Sequence, residues 1–310
     1  MSAGWVAAQV RSRSLASHCL GPAGAGDLAR SGGAGSLDAA LDILATSSYG
    51  DRLHPGLDLA ASEHEVFASV LWNLRVLAGW SPALGASRLH ILAGAFELAN
   101  LQGELARIEG NDASKPFELG SLAGVPRHST PSTIGELREV LRRSPWGDPG
   151  DLDTSGVSIA LQFSLARRIV DDVPEAGRWA ETYAALVLGR LIVEGAPLAV
   201  GSVASTNVSA VLGSRALAAR SVIELREALP RDVAPVLKGV TGVSDLWLGE
   251  ARWWARLWNE AQEKIRRAGA GPATVVAAIA VQAADAWRVR VALEVAARAG
   301  GGIEVLDAVA

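Results

Sequence analysis

Hydrophobic positions recur with a helical period along almost the whole chain, and no convincing strand pattern appears. Val66, Val70, Leu74 and Leu77 fall on one face of VFASVLWNLRVL. Ser62 and Glu65 ahead of that run read as an S-x-x-E capping box, and Gly79-Trp80-Ser81-Pro82 reads as its stop. Leu98, Leu101, Leu105 and Ile108 form a second stripe, predicting a helix from about Ser87 to Glu109 with Gly110 as its C-terminal stop. Together the two make a helical hairpin. The plan recurs twice. Helices are expected from about Ser155 to Asp171 and, after a break at Pro174, on to Glu194 with Gly195 behind it. A third pair runs from Asp245 to Ala268 and, after the Gly269-Ala270-Gly271-Pro272 turn, to Arg298, ahead of Gly300-Gly301-Gly302. Residues 21–35 read as a loop with one helical turn, and 111–132 and 196–215 as connections.

An internal echo sits in front of each hairpin. SLDAALDILATSSYG, residues 36–50, aligns without a gap on TIGELREVLRRSPWG, residues 133–147, so that Ser36 matches Thr133 and Tyr49-Gly50 matches Trp146-Gly147. The motif returns in part at residues 222–229, VIELREAL, where Pro230 ends the helix in place of the aromatic-Gly pair. The copies lie roughly ninety residues apart, and a fixed period marks a repeated supersecondary unit. The expectation is an all-α chain of three helical-hairpin repeats, approximately residues 1–125, 126–215 and 216–310. The aromatic-Gly pair is read as structural, with Gly50 and Gly147 supplying the positive φ that ends a helix.

Composition changes this picture little. A chain of 310 residues can bury enough surface to fold without a metal or disulfide, and its single cysteine, Cys19, fits a reducing compartment. With 29 basic and 33 acidic residues it has no basic excess of the kind nucleic-acid binding requires. MSAGWVAAQVRSRSL lacks the order of a signal peptide, and the apolar run Ala273 to Ala284 falls well short of the roughly 20 residues of a membrane span. Of the ten tryptophans, Trp247, Trp254 and Trp258 share a helix face with Ala251, Ala261 and Ile265, while Trp253 lies to one side with Leu257; they read as packing.

Catalytic motifs are scarce. GAGDLA at residues 24–29 fits a dinucleotide fingerprint in letters but follows no strand, and there is no G-x-x-x-x-G-K-[ST]. His18, His54, His64, His90 and His128 show no metal-type spacing and are expected at the surface or in loops. No G-x-S-x-G elbow is present to start a nucleophilic triad. No cofactor is expected.

Four segments carry a resemblance. They are WVAAQVRSRSL with its paired basic residues, LDAALDILATSSYG with Thr46, Tyr49 and Gly50, FELANLQGELARIEG with Glu97, Asn100 and Leu101, and the closing segment with Trp287, Arg288 and Arg290. Together they resemble the C-type central-stalk subunit of the archaeal and bacterial V/A-type ATPases, whose counterpart in eukaryotic V-ATPases is the d-type subunit. The resemblance spans nearly the full length with moderately specific motifs. The second repeat departs from it, reading Tyr183-Ala184-Ala185-Leu186 where the family carries an Asn-Leu-Arg-like triplet, with its first basic residue at Arg190.

The resemblance implies a funnel of three repeats about a pseudo-threefold axis, seated on the cytoplasmic face of the proteolipid ring and receiving the D- and F-type shaft subunits. Its role there is to couple shaft and ring during proton or sodium transport, with no active site of its own. Polar stripes beside the apolar ones are the candidate lining: Ser62, Glu65, Ser69 and Asn73 on one helix, and Glu97, Asn100, Glu104 and Arg107 on the next. The shaft interface is therefore expected at Asn73, Glu97, Asn100, Glu104 and Arg107. The same stripes also fit ordinary solvated faces, as Glu294 and Arg298 plainly do, where i,i+3 or i,i+4 pairs contribute about 0.2–0.5 kcal/mol each. The competing class is a free-standing α-helical scaffold or regulatory adaptor that holds a protein or small ligand in the repeat concavity.

Overall fold

The computed structural model describes residues 3–31, 36–125, 130–150 and 153–298, and among these every regular element is helical. His128 and the glycines at 300–302 lie outside the described residues. No described helix is long and apolar enough to cross a membrane. The chain forms two compact units, one of Met1–Leu89 with Ala251–Ala310 and one of His90–Glu250.

The first unit is built around its last helix. Residues Ala3–Ser17 form α1, Gly21–Ser31 α2, Leu37–Leu44 α3 and Leu59–Trp80 α4; Ala83–Ile108 forms α5, which starts here and runs on into the second unit. Far along the chain, Leu246–Arg267 forms α12 and Pro272–Ala297 forms α13. Nearly every side chain of α13 from Thr274 to Ala296 is buried, because α1, α2, α3 and α4 all pack against it. A helix that is apolar over most of its circumference has little face to give to water and takes the centre. Helix α12 contributes Trp254, stacked on Trp287 with ring centroids 5.8 Å apart, and Trp258, whose ring lies under the buried Arg288 guanidinium at 4.9 Å.

In the second unit, Ile134–Arg142 forms α6, Thr154–Asp172 α7, Gly177–Val193 α8, Val203–Leu212 α9, Ser214–Ala218 α10 and Val222–Ala228 α11. Leu98, Leu101 and Leu105 of α5, Leu137 and Leu141 of α6, Trp146, and Val157, Leu161 and Leu165 of α7 make one continuous core. Helices α7 and α8 form a hairpin after Val173, α9 packs on both, and α11 packs on α8 together with a 3-10 turn at Ala234–Leu237.

Helix ends of the hairpins fall within a few residues of their expected places, and Gly110 and Gly195 take the positive φ of C-terminal stops. Four expectations are corrected. Residues 21–31 are a helix, because Ala25, Leu28 and Ala29 are buried and its first amides find a partner on α13. Helix α4 starts at Leu59, where Asp58 accepts the Ala61 amide at 2.7 Å; Ser62 is buried one turn inside, donating to the Asp58 carbonyl. The 196–215 connection contains α9 and α10, with Ala204, Val208 and Leu212 buried and Asn207 donating to Ser164 Oγ at 3.0 Å. Trp247 is exposed, whereas Trp254 packs as expected.

The echo extends to single hydrogen bonds. Ser36, Thr133 and Ser221 each cap their helix by accepting the amide three residues on, at 3.3, 3.2 and 3.2 Å. In the first two copies the exit turns also match. Ser47 and Ser144 donate to the Leu44 and Leu141 carbonyls at 2.7 Å, and each hydroxyl accepts an amide, from Tyr49 and from Trp146, at 3.2 Å. The two glycines are needed for different reasons, which corrects the shared role expected of them. Gly147 has φ +71°, whereas a Cβ at Gly50 would stand 2.1 Å from the Ala45 carbonyl oxygen. Gly147→Ala is accordingly expected to cost about 1–2 kcal/mol of left-handed strain. Gly50→Ala is expected to cost more, because backbone itself blocks the new carbon. Urea unfolding of the two variants checks the order, and equal losses would contradict it.

Candidate functional site

Each of the first two repeats ends in an aromatic side chain that donates to a buried carboxylate. In the second unit Trp146 Nε1 donates to Glu97 Oε2 at 2.7 Å, while the Gly124 and Val125 amides donate to Glu97 Oε1 at 2.7 and 2.8 Å. The Arg168 guanidinium lies over the Trp146 ring at 5.2 Å. In the first unit the Tyr49 hydroxyl donates to Asp285 Oδ2 at 2.9 Å, and the Leu20 and Gly21 amides donate to Oδ2 and Oδ1 at 3.1 and 2.7 Å. Those two amides stand at the N-terminus of α2, so Asp285 also occupies the positive end of that helix. The motif is therefore a carboxylate on a long helix, two backbone N–H groups from a following or preceding loop, and one aromatic donor. The third repeat replaces it. Where α11 meets α8, Gly189 faces Leu237 and Leu225, an apolar contact.

This geometry reassigns most of the expected interface. Glu97 is buried with its oxygens engaged inside the unit, so it holds the fold together and offers no charge to a partner. Asn100 clasps the Phe117 backbone in both directions, its amide donating at 2.9 Å and its oxygen accepting at 2.7 Å. Glu104 and Arg107 pair with each other at 2.7 Å while staying just over a third exposed, and Arg107 also donates to the Pro131 carbonyl. On α4, Ser62 and Ser69 are buried with hydroxyls bonded to their own helix, and Glu65 pairs with Arg52 at 2.9 Å. Asn73 borders a cavity of the first unit.

Titratable groups do converge around Asp285. Burial pushes the Asp285 carboxyl above its ordinary range, against the pull of the Gly21, Tyr49 and Leu20 bonds and the Arg288 charge. Burial and then the Asp285 charge push the Tyr49 phenol and the Cys19 thiol well up, so both keep their protons at neutral pH. Burial lowers Arg288 to about 10, which leaves it charged at neutral pH. The cluster thus supplies neither a thiolate nor a phenolate. Its visible trace in the sequence is an amide and a carboxylate, Gln282 and Asp285, that follow the apolar run Ala273 to Val281. Among the described residues no group of three or more His, Cys, Asp or Glu side chains is placed to hold a metal ion.

No protein-family model matches the chain, and no curated protein matches it.

Glu97 and Glu104 should respond differently to substitution. Glu97→Gln leaves at least one buried donor without an acceptor and is expected to cost about 2 kcal/mol or more. Glu104→Gln, which loses a largely solvated i,i+3 pair, is expected to cost less than about 0.5 kcal/mol, and chemical denaturation separates the two. For Asp285, the folded state holds the proton more tightly than the unfolded chain, so its contribution falls as pH rises from about 4 upward. The stability of wild type minus that of Asp285→Asn should therefore decline across that window; a flat or rising difference would contradict the burial effect.

Proposed function

We propose that the chain is a non-catalytic central-stalk subunit of a V/A-type rotary ATPase, a socket that couples the shaft to the proteolipid ring from the cytoplasmic side of the membrane. The observation that carries this reading is the repeated docking of a short capped helix on the second helix of a hairpin. Helix α6 with Trp146 docks on α5, α11 docks on α8, and α3 with Tyr49 docks on α13. The last of these brings the first short helix onto the last long helix within the first unit.

The docked residues are those through which the sequence resembles the family: Tyr49 and Gly50, Glu97 and Asn100, and the Trp287-Arg288 segment that follows Asp285. In this reading Asn73, Glu104 and Arg107 remain as shaft-facing candidates, and Glu97 and Asn100 become the framework beneath them. The partners are D- and F-type shaft subunits and the ring, and the chain needs no cofactor. The competing reading, a free-standing adaptor, predicts the same helices without those partners.

Affinity purification of the tagged protein from its native host after gentle membrane solubilisation, followed by mass spectrometry, tests the reading. Recovery of head, shaft and ring subunits is expected; a lone monomer or a different set of partners would overturn it. Charge reversal at Glu104 is expected to reduce shaft recovery without loss of helicity, and unchanged recovery would remove the Glu104 stripe from the interface.

A further inference from the structure

The first unit contains a cavity of about 310 Å³ between α1, the loop after α3, α4 and α13. It touches the carboxylate clasp at Tyr49, whose hydroxyl is already committed to Asp285. Two of its lining side chains hold buried polar atoms with no hydrogen-bond partner among the described residues: Arg11 Nε from α1 and Gln282 Oε1 from α13. Gln282 is only 7 % exposed, and Ala278 and Ala286, one turn away on either side, are buried and apolar. His18, Ser48, Asp51 and Trp72 are exposed at the rim, whereas Leu15, Ser69, Val70 and Gln282 are buried, so the cavity deepens from the surface toward α13. A buried polar atom left unpaired bears its full desolvation cost, so two in one cavity call for something that pairs with both.

The two atoms are of opposite kinds, and this narrows the ligand. Arg11 Nε–H only donates and Gln282 Oε1 only accepts. A carboxylate or phosphate pairs the first and leaves the second, and an ammonium does the reverse. A hydroxyl both donates and accepts, so hydroxyls satisfy the two together. Charge points the same way. An anion here meets Asp51 and, behind Tyr49, Asp285; a cation meets Arg11 and Arg52, the latter held by Glu65 at 2.9 Å. Either sign is opposed, and a neutral ligand is not. The His18 ring donates from Nδ1 to the Ser14 carbonyl at 2.6 Å, which leaves Nε2 of the neutral ring as a further acceptor beside Asp51 and Asn73 on the lining. Leu15, Val70 and the Trp72 side chain supply an apolar wall for a carbon skeleton. The volume lies at the low end of the roughly 300–1,000 Å³ of ligand pockets, the size of a single sugar ring. Cys19 and Tyr49 border the cavity but keep their protons, so neither attacks what is bound.

We infer that this cavity is a binding site for a neutral polyhydroxylated molecule of monosaccharide size, whose hydroxyls donate to Gln282 Oε1 and accept from Arg11 Nε.

Calorimetric titration of the full chain with D-ribose, D-glucose and myo-inositol, against acetate, methylammonium and acetamide at matched ionic strength, tests this. At least one of the three polyols is expected to bind at a single saturable site, more tightly than the anion, the cation or the amide. Gln282→Leu removes the acceptor and Arg11→Met removes the donor at similar length; each is expected to weaken binding by about tenfold, the loss of one hydrogen bond to a buried or charged group. Trp72→Ala, on the exposed rim, is expected to weaken binding severalfold without disturbing the core, and Arg30→Gln on exposed α2 should bind as wild type. Far-UV circular dichroism confirms folding. Polyols excluded from the surface raise the melting temperature of any protein, so the informative quantity is the difference: wild type should gain more than Gln282→Leu at the same polyol concentration. Absence of saturable polyol binding would leave the cavity to water and overturn the assignment. Tighter binding of acetate, methylammonium or acetamide would do the same, as would unchanged affinity in Gln282→Leu or, should the buried variants fail to fold, in Trp72→Ala.

Discussion

Each unit of this protein turns on one buried carboxylate that must be satisfied. Glu97 and Asp285 sit on long helices where water cannot reach them, and an isolated charge there would be prohibitively unfavourable. Each is stabilised by three donors drawn from segments far away along the chain. Glu97 gathers residues 124, 125 and 146, and Asp285 gathers residues 20, 21 and 49. Removing any donor exposes the same desolvation penalty, so the loop, the aromatic side chain and the helix are held as one piece. This is why the aromatic position carries Trp or Tyr, which have a donor, and never Phe in either copy.

The constraint also sorts stiff parts from accessible ones. Residues that looked like one polar stripe on α5 divide into Glu97 and Asn100, engaged inside the unit, and Glu104 with Arg107, paired near the surface. The carboxylate clasps hold the short helices of the first two copies onto the long ones. The Cys19, Tyr49 and Asp285 side chains crowd together, yet the burial that brings them together also suppresses ionisation of thiol and phenol.

The third repeat shows what the clasp replaces. Where α11 meets α8 the junction is Leu225 and Leu237 against Gly189, a contact that needs no donor and imposes no direction. Two directional junctions and one apolar junction are thus built on the same capped-helix plan, and the shared Ser or Thr cap persists after the aromatic and carboxylate have gone.

Helical class, the long helices and most of their ends were legible along the chain, because a stripe of Leu and Val at helical spacing and a Gly or Pro beyond it are local signals. Legibility ended where local signals were weak or doubled. Residues 21–31 and 203–212 are rich in small side chains, and they become helices through burial against α13 and against α7 and α8, partners that no local pattern reveals. Asp58 and Ser62 were both competent caps, and packing of the following turn chose Asp58. The sequence by itself determined the long helices and the capped short-helix echo, since capping, periodicity and turn chemistry act over a few residues. Only the tertiary structure decided that Glu97 and Asp285 face inward, that Gly50 yields to a carbonyl rather than to its own φ, and that Arg11 and Gln282 meet at one cavity, because each depends on groups brought together in space by the fold.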